Sequence, residues 1–168
     1  MGTYRSINLE YQMRDPESGP FFSLMPLLYW GLNLPVTIQP ASVFSKLRPP
    51  KSPPVAPITL LAHVDTGARA SAIDVGLAEH LGLIRTGSTR IMTAGGLIDS
   101  AAFIVDLQFP GSTLSPITNL PINSCRLNFD VTGNLNNIQN FGLLLGRDVM
   151  SFWNIVWNGP TSTVIIND

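Results

Sequence analysis

The sequence predicts a mainly β fold with one or two short helices, and three observations carry that expectation. Fourteen glycines and 14 prolines in 168 residues interrupt helix interiors too often for a helical protein. Apolar runs such as Ile58 to Val64 (ITLLAHV) and Phe141 to Leu145 (FGLLL) have the length of buried strands. Gly95-Gly96 separates two β-prone runs, which is a hairpin signal.

Composition narrows the functional classes. With 45% hydrophobic and 12% charged residues and a formal net charge of -1, the chain can bury a core as one domain and lacks the composition of a disordered polymer. Ten Lys+Arg against 11 Asp+Glu leave no basic footprint for a phosphate backbone, so no nucleic-acid partner is expected. A lone cysteine, Cys125, cannot close an internal disulfide, and with two histidines the usual Cys/His zinc sets are out of reach. No metal and no cofactor are expected, and the setting expected is reducing and cytoplasmic. Cys125 itself reads as a small buried hydrophobe.

Residues 1–33 read as an N-terminal extension, either a packed segment or a removable prosegment. The most hydrophobic stretch, Phe21 to Val36, is broken by Pro26, Gly31, Asn33 and Pro35 and is short of the ~20 apolar residues a membrane helix needs. A packed segment is the reading, with peripheral membrane contact as the alternative. The domain then runs over residues 34–168. Leu34 to Gln39 has strand character, and the proline-rich tract at 46–57 (KLRPPKSPPVAP) is an insertion between that strand and the one over Ile58 to Val64.

Asp74 caps a short helix ending near Leu81, with Gly82 as its stop. Arg90 to Thr93 and Ala101 to Phe109 form the arms of the Gly-Gly hairpin, Ile117 to Pro121 is a weaker strand, and Asn128 to Asn140 is an Asn-rich loop. After the strand at Phe141 to Leu145 come a short helix at Arg147 to Trp153 and a closing hairpin, Asn154 to Asn158 with Thr163 to Asn167. Trp30, Trp153 and Trp157 are read as core or interface anchors.

Most catalytic motifs are absent: there is no G-x-S-x-G elbow, no phosphate loop and no dinucleotide fingerprint, and both lysines, Lys46 and Lys51, sit in the proline tract. What remains is Asp65-Thr66-Gly67 at the end of the apolar run. Average residue usage places such a tripeptide in about one chain in thirty of this length. A carboxylate that ends a buried strand must be stabilised or used, and a glycine beside it lets backbone approach closely.

The segment LLAHVDTGARASAI closely resembles the catalytic segment of retropepsin-like aspartic proteases. Leu144-Leu145-Gly146-Arg147-Asp148-Val149-Met150 matches that family's second mark, two hydrophobic residues and a glycine before a short helix. Thr93-Ala94-Gly95-Gly96-Leu97-Ile98 stands where its flap hairpin belongs, so the resemblance spans roughly residues 34–168. It implies a retropepsin-like half-barrel that closes as a two-fold symmetric homodimer, because one chain carries one triplet and the chemistry needs two carboxylates sharing a proton.

By the same resemblance, Asp65 is the catalytic carboxylate and the site acts on a peptide or protein substrate. Thr66 hydrogen-bonds across the dimer axis, while Gly67 and Ala68 line the substrate backbone. Gly95, Gly96 and Leu97 belong to the flap over the peptide, Leu144 lines a subsite, and Gly146 permits a close chain crossing beside Arg147 and Asp148. Viral members carry a carboxylate soon after the triplet that pairs with the arginine following the glycine. Arg69 stands in that place, so Asp148 or Asp74 is expected to compensate for Arg147. The closing hairpin is nearer to the cellular and bacterial branches.

Two other classes stay open from sequence: a non-catalytic dimeric module that binds a peptide or partner on this fold, and a precursor that residues 1–33 hold shut. His63 shares a face with Asp65 by strand alternation and is read as a core or interface histidine, since a two-carboxylate mechanism has no role for it.

Overall fold

The structure, a computed structural model, describes residues 3–4, 13–15, 19–21, 31–47, 55–93, 95–135, 140–158 and 163–168. The elements are β1 (Thr3–Tyr4), β2 (Met13–Asp15), β3 (Gly19–Phe21), β4 (Leu32–Pro40), a 3-10 turn (Ser42–Leu47), β5 (Ile58–Val64) and β6 (Ala72–Asp74). Helix α1 (Val75–His80), β7 (Gly87–Thr93), β8 (Gly96–Gln108), β9 (Ile117–Cys125) and β10 (Leu143–Leu145) follow. Helix α2 (Arg147–Met150), β11 (Asn154–Asn158) and β12 (Thr163–Asn167) end the chain. The fold is mainly β, as the glycine and proline content implies.

The main sheet runs β4-β5-β10-β6-β9-β8-β7, and a further pairing of β4 with β8 closes its first six strands into a barrel. Closure leaves those strands without the open edge that an isolated sheet would present. The interior is filled by Leu34, Val36 and Ile38 from β4, Leu60 and Ala62 from β5, Leu107 from β8, and Leu143 and Leu145 from β10, all buried. Burying each such side chain contributes roughly 1.5–3 kcal/mol.

Strand β5 has the bounds read from sequence, but it is buried only in part: Leu60, Leu61, Ala62 and Val64 are covered, Thr59 is exposed and His63 half-buried. Its neighbour β4 pairs with it antiparallel from Leu32↔Val64 to Ile38↔Ile58. The proline tract therefore lies between two adjacent antiparallel strands, although residues 48–54 fall outside the described ones. Trp30, most of the hydrophobic stretch before Gly31, and residues 159–162 between the arms of the closing hairpin also lie outside them. Among the described residues no helix is long and apolar enough to cross a membrane.

Four strands extend further than their apolar pattern predicts, β4 and β7 by starting at Leu32 and Gly87 rather than at Leu34 and Arg90. Strand β8 starts at Gly96 rather than Ala101 because its ladder with β7 runs without a break from Gly87↔Ala102 to Thr93↔Gly96. An exposed pair, Arg90 Nε to Asp99 Oδ1 at 3.5 Å, is part of that ladder. Strand β9 continues past Pro121 to Cys125 because its end pairs on both sides, antiparallel to β8 and parallel to β6. Buried Ser124 is satisfied there: Ser100 Oγ donates to its carbonyl at 2.7 Å, and Ala101 N–H donates to its Oγ at 2.9 Å. Partnered polar groups carry these strands where hydrophobic alternation fails.

Other expectations hold with adjusted ends. Asp74 caps α1 by accepting from Gly76 N–H at 2.7 Å, and Gly82 ends that segment with φ +57°. Strand β10 is shorter than Phe141 to Leu145, since Phe141 forms only an isolated bridge with Asn128. The Asn-rich loop is tied by Asn140, whose Oδ1 accepts from Asp130 N–H at 2.6 Å while its Nδ2 donates to the Asp130 carbonyl at 2.9 Å. The closing hairpin has the bounds read from sequence, and β1 joins β12 antiparallel.

One burial expectation fails. Cys125 is half-buried at the end of β9, where the strand leaves the core. Of the core and interface readings of the tryptophans, Trp157, 49% exposed on the edge strand β11, keeps only the second, whereas Trp153 packs edge-to-face on Phe109 with ring centroids 5.2 Å apart.

Candidate active site

Asp65 is the first residue beyond β5. Its N–H donates to the Leu145 carbonyl at 2.9 Å, continuing the parallel pairing of β5 with β10 in which Leu144 lies opposite His63. The chain then turns. Ala68 N–H donates back to the Asp65 carbonyl at 3.2 Å, and Gly67 N–H donates to Asp65 Oδ1 at 2.8 Å. A Cβ on Gly67 would stand 3.1 Å from that oxygen, a tight approach that glycine avoids. Asp65 is half-buried rather than enclosed, so its carboxylate faces solvent in part.

The loop is held from behind by α2. Arg147 N–H donates to the Ala68 carbonyl at 3.0 Å, and Arg147 Nη1 donates to the Thr66 carbonyl at 3.4 Å. Buried Ser71 joins the two segments: its Oγ donates to Asp148 Oδ1 at 2.8 Å and accepts from Gly146 N–H at 3.0 Å, while its N–H donates to Asp148 Oδ2 at 2.9 Å. Asp148 Oδ1 also accepts from Val149 N–H at 2.9 Å. At the crossing, a Cβ on Gly146 would stand 2.6 Å from the Ala70 carbonyl carbon and 2.9 Å from Ser71 N. The Asp-Thr-Gly turn and the Leu-Leu-Gly strand end, 80 residues apart in sequence, are thus one hydrogen-bonded unit within a closed barrel.

The fold is a mainly β barrel with short helices. No family model and no curated protein matches the chain. Two solved structures are similar to it. One is a retropepsin-like aspartic protease from Rickettsia conorii, 19% identical, with a TM-score of 0.44 over 66% of this chain and 74% of that one. The other is EIAV protease complexed with the inhibitor HBY-793, 19% identical, with a TM-score of 0.37 over 56% of this chain and 76% of that one. At identities and scores this low neither likeness bears on chemistry or assembly.

The structure brings Asp65, Thr66, Gly67, Ala68, Gly146, Arg147 and Asp148 into one hydrogen-bonded unit, with Leu144 on the adjoining strand. Thr66 is exposed. Gly95, Gly96 and Leu97 form the tip of the β7–β8 hairpin, where Gly96 has φ +110° and Thr93 Oγ1 donates to the Gly96 carbonyl at 2.9 Å. Met92 and Leu97, paired across that hairpin, are 76% and 56% exposed.

The compensation expected for Arg147 does not occur. Asp148 is occupied by Ser71 and Val149, and Asp74 by Gly76 and by Leu127 N–H at 2.8 Å, so Arg147 turns to a backbone carbonyl instead. Ser71 is the member of this network to which sequence reasoning gave no role. Its place in the segment after the triplet was visible, but its partner 77 residues away was not.

His63 is fixed from three sides. Its Nδ1 lies 3.2 Å from Asn33 Oδ1, its ring meets Phe141 at 5.9 Å, and its Cε1 is 2.8 Å from where a Gly31 Cβ would stand. Burial pushes its imidazole below the ordinary 6.5, with the Asp65 charge offsetting part of that. Between the depressed folded value and the unfolded one, the unfolded chain binds more protons, so stability rises with pH through that window. The contribution is full above the unfolded value and is lost as pH falls through the folded one. Urea midpoints are therefore expected to drop as pH falls below about 6.5, and more steeply in the parent chain than in His63→Gln. Parallel curves for the two proteins would contradict this.

Proposed function

We propose that the chain is one subunit of a homodimeric aspartic endopeptidase. A water held between Asp65 and the partner subunit's Asp65 attacks the peptide carbonyl. One carboxylate takes the proton from that water while the other, protonated, gives its proton toward the carbonyl oxygen. Thr66 braces the two loops across the two-fold axis, Gly67 and Ala68 receive the substrate backbone, and Leu144 lines a subsite. The hairpin tip at Gly95, Gly96 and Leu97 closes over the bound peptide and excludes water.

The observation that carries this reading is the state of Asp65. Its carboxylate is partly open to solvent, yet its backbone is bonded to Leu145 and Ala68 and its Oδ1 to Gly67. A carboxylate fixed in direction and left reachable is suited to orient a water.

The test is turnover of a mixed peptide library at a series of protein concentrations. Because each site takes two chains, activity per chain should rise with concentration and level off once dimers dominate, in step with the dimer fraction from light scattering. A fully active monomer would exclude the shared dyad, and absence of any cleavage across acid and neutral pH would favour a non-catalytic binding module.

A further inference from the structure

The loop around Asp65 carries two exposed cationic side chains that make no ion pair with a described carboxylate. The formal net charge is -1, yet the segment around Asp65 presents two arginines, Arg69 and Arg147, both exposed. They belong to one unit, since Arg147 bonds the carbonyls of Thr66 and Ala68, the residues on either side of Gly67, and Arg69 is the next residue along.

Among the described residues neither guanidinium makes an ion pair. Among the described residues the single ion pair is Arg90 with Asp99, on the flap hairpin. The carboxylates nearest in the chain are committed elsewhere: Asp148 accepts from Ser71 N–H, Ser71 Oγ and Val149 N–H, and Asp74 accepts from Gly76 N–H and Leu127 N–H. Only the carboxylate of Asp65 stands in the same turn, and it accepts from Gly67. A peptide laid along Gly67 and Ala68 therefore passes two exposed positive charges that no described carboxylate pairs with directly.

We propose that Arg69 and Arg147 form a cationic rim beside Asp65 that selects peptides bearing an acidic side chain close to the bond presented to that carboxylate. This deepens the endopeptidase reading and rests on it for the word substrate, although the rim itself is a binding feature. Arg69 is the discriminating residue, because Arg147 also braces the loop through Thr66. A guanidinium can grip a carboxylate through two parallel N–H donors, which the amide of glutamine cannot match in charge.

The probe is a pair of synthetic peptide pools, alike except that Glu in one is Gln in the other at positions flanking the scissile bond. The parent protein is expected to favour the Glu pool by roughly threefold or more in kcat/KM at low salt, as partly solvated ion pairs imply. That ratio should shrink as salt is raised. Arg69→Lys keeps the preference, Arg69→Gln brings the ratio toward one, and Arg69→Glu reverses it, with circular dichroism showing that each variant is folded. Equal rates on the two pools overturn the proposal.

The same pools are also titrated by fluorescence anisotropy onto Asp65→Asn, which keeps the rim and lacks the reacting carboxylate. Tighter binding of the Glu pool there upholds the rim even if the parent protein hydrolyses nothing, in which case it is the endopeptidase reading that fails. Equal binding of both pools overturns the rim whatever the catalytic result.

Discussion

Asp65→Asn is expected to lower kcat/KM for peptide hydrolysis by roughly 10³-fold or more, the scale at which a positioned acid–base group acts. The loss should come without unfolding. The amide oxygen can still accept from Gly67 N–H, now at 2.8 Å from the carboxylate, and the backbone bond from residue 65 to the Leu145 carbonyl does not involve the side chain. What disappears is a proton acceptor and donor at the point where water must be activated. Initial rates on a peptide library, with circular dichroism on the same samples, check both statements. Undiminished turnover in the variant would remove Asp65 from the chemistry.

Gly146→Ala is expected to cost roughly 3 kcal/mol or more of stability, with a fall in Tm of about 6–12 °C for a domain of this size. The reason is geometric. The added methyl would lie 2.6 Å from the Ala70 carbonyl carbon, 2.8 Å from its oxygen and 2.9 Å from Ser71 N, all backbone atoms with no rotamer in which to retreat. Relief requires the two segments to part, and the same movement breaks the bond from Gly146 N–H to Ser71 Oγ and disturbs the Ser71–Asp148 pair. Since α2 also holds Ala68 through Arg147 N–H, the variant should lose activity together with its stability. Thermal unfolding and peptide cleavage measured on one preparation would show this. A variant with unchanged Tm would mean that the crossing is looser than these distances indicate.

Much of the architecture was legible from local chemistry. The apolar run at Ile58–Val64, the cap at Asp74, the stop at Gly82 and the closing hairpin at Asn154–Asn158 and Thr163–Asn167 were each visible because one short segment contains the reason for its own conformation. The Asp-Thr-Gly turn was found the same way, as a carboxylate and a glycine placed where a buried strand ends. The strand ends at Gly96 and Cys125 were missed because they depend on a neighbour. Nothing in Asp99-Ser100 or Asn123-Ser124 alone says strand until Arg90, Ala101 and β6 stand opposite.

The sequence by itself determined which residues stand out as candidates: one Asp-Thr-Gly triplet, one Leu-Leu-Gly run, one Gly-Gly pair, and an exposed-loop arginine candidate at position 69. Only the tertiary structure decided how they are held. Barrel closure brings β10 parallel to β5, so that Leu145 receives Asp65 N–H and Ser71 meets Asp148 across 77 residues. It also commits Asp148 and Asp74 to backbone N–H groups and leaves Arg147 to a carbonyl. Hydrogen bonding is short-ranged and directional, so a partner distant in sequence can be assigned only when the folded chain has set it within reach.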